Sequence, residues 1–138
     1  MIDPRLNTDE KVVLVVDDDP SICGILKDVI SARGNKVVTV GRIEDAIEQV
    51  KKQHFHLMFL DWTLPGMSGF EALSALKAED DGIAVVVITG YGDILTPKEK
   101  GSLGIQLLIT KPFQLSEIIN VINKVNTNEN LNGTSHSG

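Results

Sequence analysis

Two hydrophobic patterns alternate along the chain. Short continuous apolar runs occupy positions 12–16, 37–40 (interrupted by Thr39), 57–60, 83–88 and 107–109. Each is rich in Leu or β-branched residues, the signature of strands buried on both faces in a parallel sheet. Between the runs, apolar residues recur at helical spacing. Ile22, Ile25, Leu26, Val29 and Ile30 form the first stripe, and Ile43, Ala46, Ile47 and Val50 the second. Phe70, Leu73 and Leu76 form the third; Leu115, Ile118, Ile119 and Ile122, extended by Val125, form the fifth. Such stripes predict helices with one face toward a core. Pro20 suits a first helical turn and Gly34 a C-terminal cap. Ser68 and Glu71 have the spacing of a capping box. The fourth helix is weak: Thr96-Pro97 is a good start, but Gly101 and Gly104 leave about two turns at most.

Five strand–helix repeats with short connections predict right-handed crossovers and an α/β fold, a doubly wound five-stranded parallel sheet with helices on both faces. One domain over residues 11–125 accounts for every patterned element. Residues 1–10 read as a flexible leader, and residues 126–138, rich in Asn, Thr, Ser and Gly, as a disordered tail.

Composition narrows the function. With 13 Lys and Arg against 19 Asp and Glu, the 138-residue chain has a formal charge of −6. No basic stripe is visible, so a nucleic-acid partner is not expected. No apolar run approaches the roughly 20 residues of a membrane-spanning helix. The single cysteine, Cys23, excludes an internal disulfide framework and suits a cytoplasmic location.

In doubly wound sheets, ligands bind beyond the C-terminal ends of the strands. There the sequence places Asp17, Asp18 and Asp19 after the first strand and Asp61 after the third. Thr89 and Gly90 end the fourth, and Thr110, Lys111 and Pro112 the fifth. Clustered carboxylates resist ionisation unless a cation sits among them. Oxygen-only ligands point to a hard ion, best met by Mg²⁺. A lysine ammonium and a threonine hydroxyl can each meet a phosphoryl oxygen. An aspartate among them is a candidate nucleophile toward phosphorus. Asp19 reads better as the cap of the next helix. Taken singly, Asp17 and Asp18 would be caps or solvated charges, Asp61 a loop carboxylate and Lys111 a surface charge; their joint placement favours chemistry. His54 and His56 read as an exposed loop or edge pair, Trp62 as half-covering the site, and 64–67 as a turn around Pro65 and Gly66. Cys23 lacks a neighbouring base.

Four stretches carry a family resemblance: VVLVVDDDP at 12–20, HLMFLDWTLPGMSGFEAL at 56–73, VVVITGYGD at 85–93 and ITKPF at 109–113. Together they resemble the receiver domain of bacterial two-component response regulators. Asp18 and Asp61 are 43 residues apart, Asp61 and Thr89 28, and Thr89 and Lys111 22, as in that family. The resemblance implies a flavodoxin-like fold with strand order 2-1-3-4-5 and a phosphoacceptor role in a phosphorelay. Asp61 would be the phosphoacceptor. Asp17, Asp18, Asp61 and the backbone carbonyl of Thr63 would hold Mg²⁺. Thr89 and Lys111 would contact the phosphoryl group, and Gly90 would leave room for it. Thr63 and Tyr91 would tune dephosphorylation, and the Lys111–Pro112 bond would be cis. The implied partner is a histidine kinase or a histidine phosphotransfer protein, with a phosphorylation-dependent homodimer as a further option. Such a module assists its own phosphorylation without being a turnover enzyme.

Two departures concern output. Leu108 stands where receivers usually carry Tyr or Phe, and the fourth helix is poor. These predict that phosphorylation changes order in residues 91–104. The stretch 89–111 is similar to receivers of hybrid sensor kinases. The competing readings are a Mg²⁺-dependent phosphatase with an Asp nucleophile, disfavoured because Thr63 stands where a second acid is needed, and a protein-binding pseudo-receiver.

Overall fold

A computed structural model describes residues 10–90 and 95–131. Five parallel strands lie in the order β2-β1-β3-β4-β5. They are β1 (Val12–Val16), β2 (Lys36–Val40), β3 (Leu57–Asp61), β4 (Ala84–Thr89) and β5 (Ile105–Thr110). The connecting helices are α1 (Pro20–Ala32), α2 (Ile43–Lys52), α3 (Gly69–Glu79) and α4 (Pro97–Leu103), with α5 (Leu115–Asn126) last. This is the doubly wound parallel sheet that the alternating patterns predict, in the flavodoxin-like strand order that the family resemblance implies.

Side chains alternate across the strands, so each strand feeds two cores. Val13, Val15, Leu57, Phe59, Val86 and Ile88 pack with Leu26 and Ile30 of α1 and Ile118 and Ile122 of α5. Leu14, Val16, Met58, Leu60, Val85 and Val87 face the other way, toward α2, α3 and Leu95. Burying a side chain such as Leu26 or Ile30 completely contributes about 1.5–3 kcal/mol, and both are 0% exposed. That double burial explains why the strands read as continuous apolar runs.

The helix ends follow their sequence signals. Asp19 caps α1, accepting from Ser21 N–H at 2.8 Å. Gly34, just beyond α1, has φ +86°, a conformation that favours glycine. Ser68 and Glu71 form the capping box of α3. Thr96 and Glu99 form a second box at α4, with the same spacing as Ser68 and Glu71. Gly104 does not break α4; it closes it in the left-handed conformation, φ 73°. β5 is longer than the predicted 107–109 because it is an edge strand that tolerates Gln106, and the pairing shifts register opposite Val85 and Val86.

Three predicted core residues are exposed: Ile25 (44%), Phe70 (46%) and Leu115 (45%). Helical spacing assigns a residue to a face, but the width of the covered stripe depends on the neighbours. Ala72 and Gly69 take the buried positions on α3, and Val121 joins those of α5. Past α5, where a tail from residue 126 is expected, Asn126 exchanges amide hydrogen bonds with the buried Asn35, and Leu131 is buried. Residues 1–9 and 132–138 lie outside the described residues, as do Tyr91 to Ile94.

Candidate functional site

Parallel register brings the strand ends to one edge. Val16 pairs with Leu60, Asp61 with Ile88, and Thr89 with Thr110. The residues that follow are delivered together. One carboxylate oxygen from each of Asp17, Asp18 and Asp61 lies within 4.8 Å of the others. Asp17 and Asp61 are buried, and Asp18 is exposed. Thr89 is fully buried at the end of β4, and its carbonyl accepts from Lys111 N–H at 2.6 Å. That bond sets Lys111 beside the carboxylates: its Nζ is 3.1 Å from Asp17 Oδ2 and 3.6 Å from Asp61 Oδ2. The Lys111–Pro112 peptide is cis.

The two buried carboxylates are held in place. Asp17 N–H donates to Val40 carbonyl at 3.1 Å, and Asp17 Oδ1 accepts from Asp19 N–H at 2.9 Å. Asp61 Oδ1 accepts both from Thr63 N–H at 3.0 Å and from Thr63 Oγ1 at 2.9 Å. The Thr63 hydroxyl was not legible as a partner of Asp61, although a threonine two residues past an aspartate is a natural donor in such a turn. Cys23 Sγ donates to Asp17 carbonyl at 3.1 Å, a contact with no sequence signal.

The electrostatics are those of an unsatisfied anion cluster. Burial pushes the Asp17 carboxyl up, and repulsion from Asp61 adds to it; the Asp19 N–H and Lys111 pull the other way. Burial works against the Lys111 charge, but the hydrogen bond to Asp17 and attraction by both aspartates outweigh it, so its pKa rises. Lysine thus stays charged and offsets part of the repulsion. Burial and the nearby aspartates push the Cys23 thiol up, which keeps it protonated and inert.

Asp17, Asp18, Asp61, Thr63, Thr89 and Lys111 therefore meet at one edge, as the sequence predicts. Asp19 turns to its capping role. A Cβ at Gly90 would meet nothing within 4 Å, so there is open space beside Thr89. Trp62 departs from expectation: it is 8% exposed and part of the α2–α3 core. Its indole fills the space that a side chain at Gly69 would need, 2.2 Å from that Cβ, and Phe70 stacks edge-on against it. Asp61 and Trp62 point apart because adjacent residues at a strand end face opposite sides.

Two hollows flank the site. One of about 390 Å³ opens between Asp17, Asp18, Cys23, Lys27 and Gly41. The other, about 590 Å³ and mostly apolar, lies between Ile22, Ile25, Lys111, Pro112, Phe113 and Leu115. The donor set suits a hard divalent cation: the acidic cluster is all oxygen, two of its members are buried, and one is exposed to admit water ligands. No helix among the described residues is long and apolar enough to cross a membrane.

Comparison with known proteins agrees with this geometry. The family profile described as response regulator receiver domain matches residues 13–123. Sporulation initiation phosphotransferase F of Bacillus subtilis is 32% identical over 112 residues, covering 81% of this chain and 90% of that protein. The DNA-binding response regulator MtrA of Mycolicibacterium smegmatis is 31% identical over 83% of this chain, which spans only 50% of MtrA. Among solved structures, the response regulator TrrA of Thermotoga maritima in complex with Mg²⁺-BeF superposes with a TM-score of 0.71 at 25% identity, covering 83% of this chain and 98% of that one.

Proposed function

This chain belongs to the response regulator receiver family, the phosphoacceptor signalling modules of two-component systems, and we propose that Asp61 is its phosphoacceptor. The observation that carries the assignment is the position of Asp61: buried, oriented by Thr63, and facing Lys111 and the acidic pair. A carboxylate oxygen of Asp61 attacks the phosphorus of a phosphohistidine. The new P–O bond forms as the P–N bond breaks, and the imidazole leaves with the electron pair and takes up a proton. Lys111 meets the charge on the phosphoryl oxygens, and the buried Thr89 hydroxyl lies on the same edge to donate to another. Asp17, Asp18, Asp61 and the Thr63 carbonyl would hold Mg²⁺, which when bound supplies charge neutralisation for the transferring group. Mg²⁺ belongs with the acidic pocket of receiver domains, and the TrrA structure is a complex with Mg²⁺-BeF.

The partner is a histidine kinase or a histidine phosphotransfer protein, the donors that receiver domains work with. The apolar hollow beside Lys111 supports a docking place for such a donor, since Ile25 and Leu115 are exposed within reach of the acceptor edge. The net charge of −6 supports the absence of nucleic-acid contact by this domain. A free Cys23 supports a cytoplasmic setting.

With Mg²⁺ and acetyl phosphate, intact mass should rise by one phosphate, and Asp61→Asn should abolish the gain. Equal labelling of the variant would remove Asp61 from its role. Ile25→Glu should slow transfer from a phosphorylated histidine phosphotransfer protein while leaving acetyl phosphate labelling unchanged; loss of both would contradict a docking role.

A further inference from the structure

At the opposite edge of the sheet, four segments converge: the lead into β1, the loop before β3, the end of α3, and the turn after α5. His56 lies where they meet. Its N–H donates to Val12 carbonyl at 2.9 Å, and its own carbonyl accepts from Ala84 N–H at 3.3 Å. Its side chain adds a third tie, because Val12 N–H donates to His56 Nδ1 at 3.0 Å. Beside it, His54 Nδ1 and Asp80 Oδ2 are 2.6 Å apart, and the two imidazoles meet edge to face with centroids 5.0 Å apart. A cavity of about 240 Å³ opens here, its wall including Lys11, His54, His56, Asn128, Glu129 and Leu131.

This geometry fixes the protonation state. An imidazole nitrogen that accepts an N–H carries no proton, so His56 is the neutral Nε2–H tautomer. The imidazolium has no acceptor left. Among the described residues, the charged or titratable groups around the ring are Lys11 from the β1 lead, His54 from the same loop, Asp80 from the end of α3, and Glu129 after α5. Asp80 is already engaged by His54, and Glu129 accepts from Thr127. A second proton on His56 would therefore break the bond to Val12 and add a cation beside Lys11 and His54.

We propose that His56 is an acid-sensitive latch, which in its neutral form fastens the first amide of β1 to the sheet and on protonation releases it. β1 carries Asp17 and Asp18 at its other end, so the latch secures the strand that presents the acidic pair. Burial, with the positive charges of His54 and Lys11, holds the His56 pKa below its ordinary value. The folded ring thus binds fewer protons than the unfolded one. The latch's stabilisation is complete above about pH 6.5, the unfolded value, and is lost as pH falls through the folded value.

The test is a long-range ¹H–¹⁵N titration of the full chain between about pH 8 and about pH 4.5, spanning the ordinary histidine value near 6.5. At neutral pH the ring should show the Nε2–H tautomer, and its midpoint should fall below 6.5. Val12 amide protection should drop about fivefold as His56 titrates, the equivalent of one ordinary hydrogen bond. His56→Asn keeps an acceptor oxygen near the Nδ1 position but cannot titrate; it should retain Val12 protection and flatten the acid-side fall in urea midpoint. An Nδ1–H tautomer, a midpoint at or above 6.5, or an unchanged pH dependence in the Asn variant would overturn the proposal. If that variant does not fold, the tautomer and midpoint in the wild-type protein decide alone.

Discussion

The two edges of the sheet are built from similar material and come to opposite ends. Each gathers titratable side chains from several chain segments at the termini of the strands. At the edge where the strands begin, each has a partner: Asp80 has His54, the His56 ring has the Val12 amide, and Lys11 has Asn128. At the edge where they end, buried Asp17 and Asp61 share the Lys111 ammonium with exposed Asp18 beside them, and burial pushes Asp17 upward. Polar groups satisfied by local partners stabilise a fold modestly; like charges held together store a preference for a cation. The difference marks the C-terminal edge as the chemical one. Perturbed groups also occur in purely structural networks, so the perturbation counts here because it coincides with the proposed phosphoacceptor, a lysine and open space.

Lys111→Ala should sharpen the contrast most. Removing the ammonium leaves Asp17 and Asp61 buried without their shared cation, which should cost about 2–3 kcal/mol in chelator, discounted from the fully buried case because the lysine is partly exposed. Mg²⁺ should restore much of that loss, since binding to the native state alone adds about 2.7 kcal/mol at a hundred times its dissociation constant. Urea unfolding with and without Mg²⁺ reads both. A variant as stable as the wild type in chelator would mean that the carboxylates do not strain this edge.

A smaller effect separates the two roles assigned within the Asp17–Asp19 run. Asp19→Ala should lose about 1 kcal/mol of stability, the usual value of an N-cap, while Mg²⁺ affinity changes little. Asp18→Ala should do the reverse, lowering Mg²⁺ affinity with little change in stability. Calorimetric titration and urea melts on the same pair distinguish them; a larger affinity loss in the Asp19 variant would reverse the assignment.

The smallest change is expected at the opposite edge. The Asp80 carboxyl is held below its usual range chiefly by the hydrogen bond from His54, yet His54 is exposed and Asp80 only partly covered. Exposed pairs are worth about 0–1 kcal/mol. His54→Gln should change the unfolding free energy read from urea melts only within that range and leave acetyl phosphate labelling of Asp61 untouched. The carboxyl's depressed pKa gives stability that is present above its unfolded value and lost as pH falls through the folded value. A labelling defect in the His54 variant would show that the two edges communicate.

Much of this architecture was determined by the sequence alone. Strands buried on both faces must be apolar throughout, and helices against them must be striped, so five repeats of the two patterns specify the α/β layers. Chain order then forces Asp17, Asp18, Asp61, Thr89 and Lys111 to strand ends, and parallel pairing puts those ends on one edge. Local spacing also determined the caps at Asp19 and Ser68, since a cap bonds within its own turn. Tertiary structure decided whatever depends on distant partners. Trp62 faces the α3 core rather than the site because Gly69 leaves room for it. Ile25, Phe70 and Leu115 stand half exposed because, among the described residues, neighbouring elements cover only part of their helix faces. His56 is a neutral acceptor because Val12, 44 residues away, aims an N–H at it. Periodicity records which side of an element a residue occupies; only packing determines what meets it there, because burial and hydrogen bonding are set by contacts between segments that the chain order does not encode.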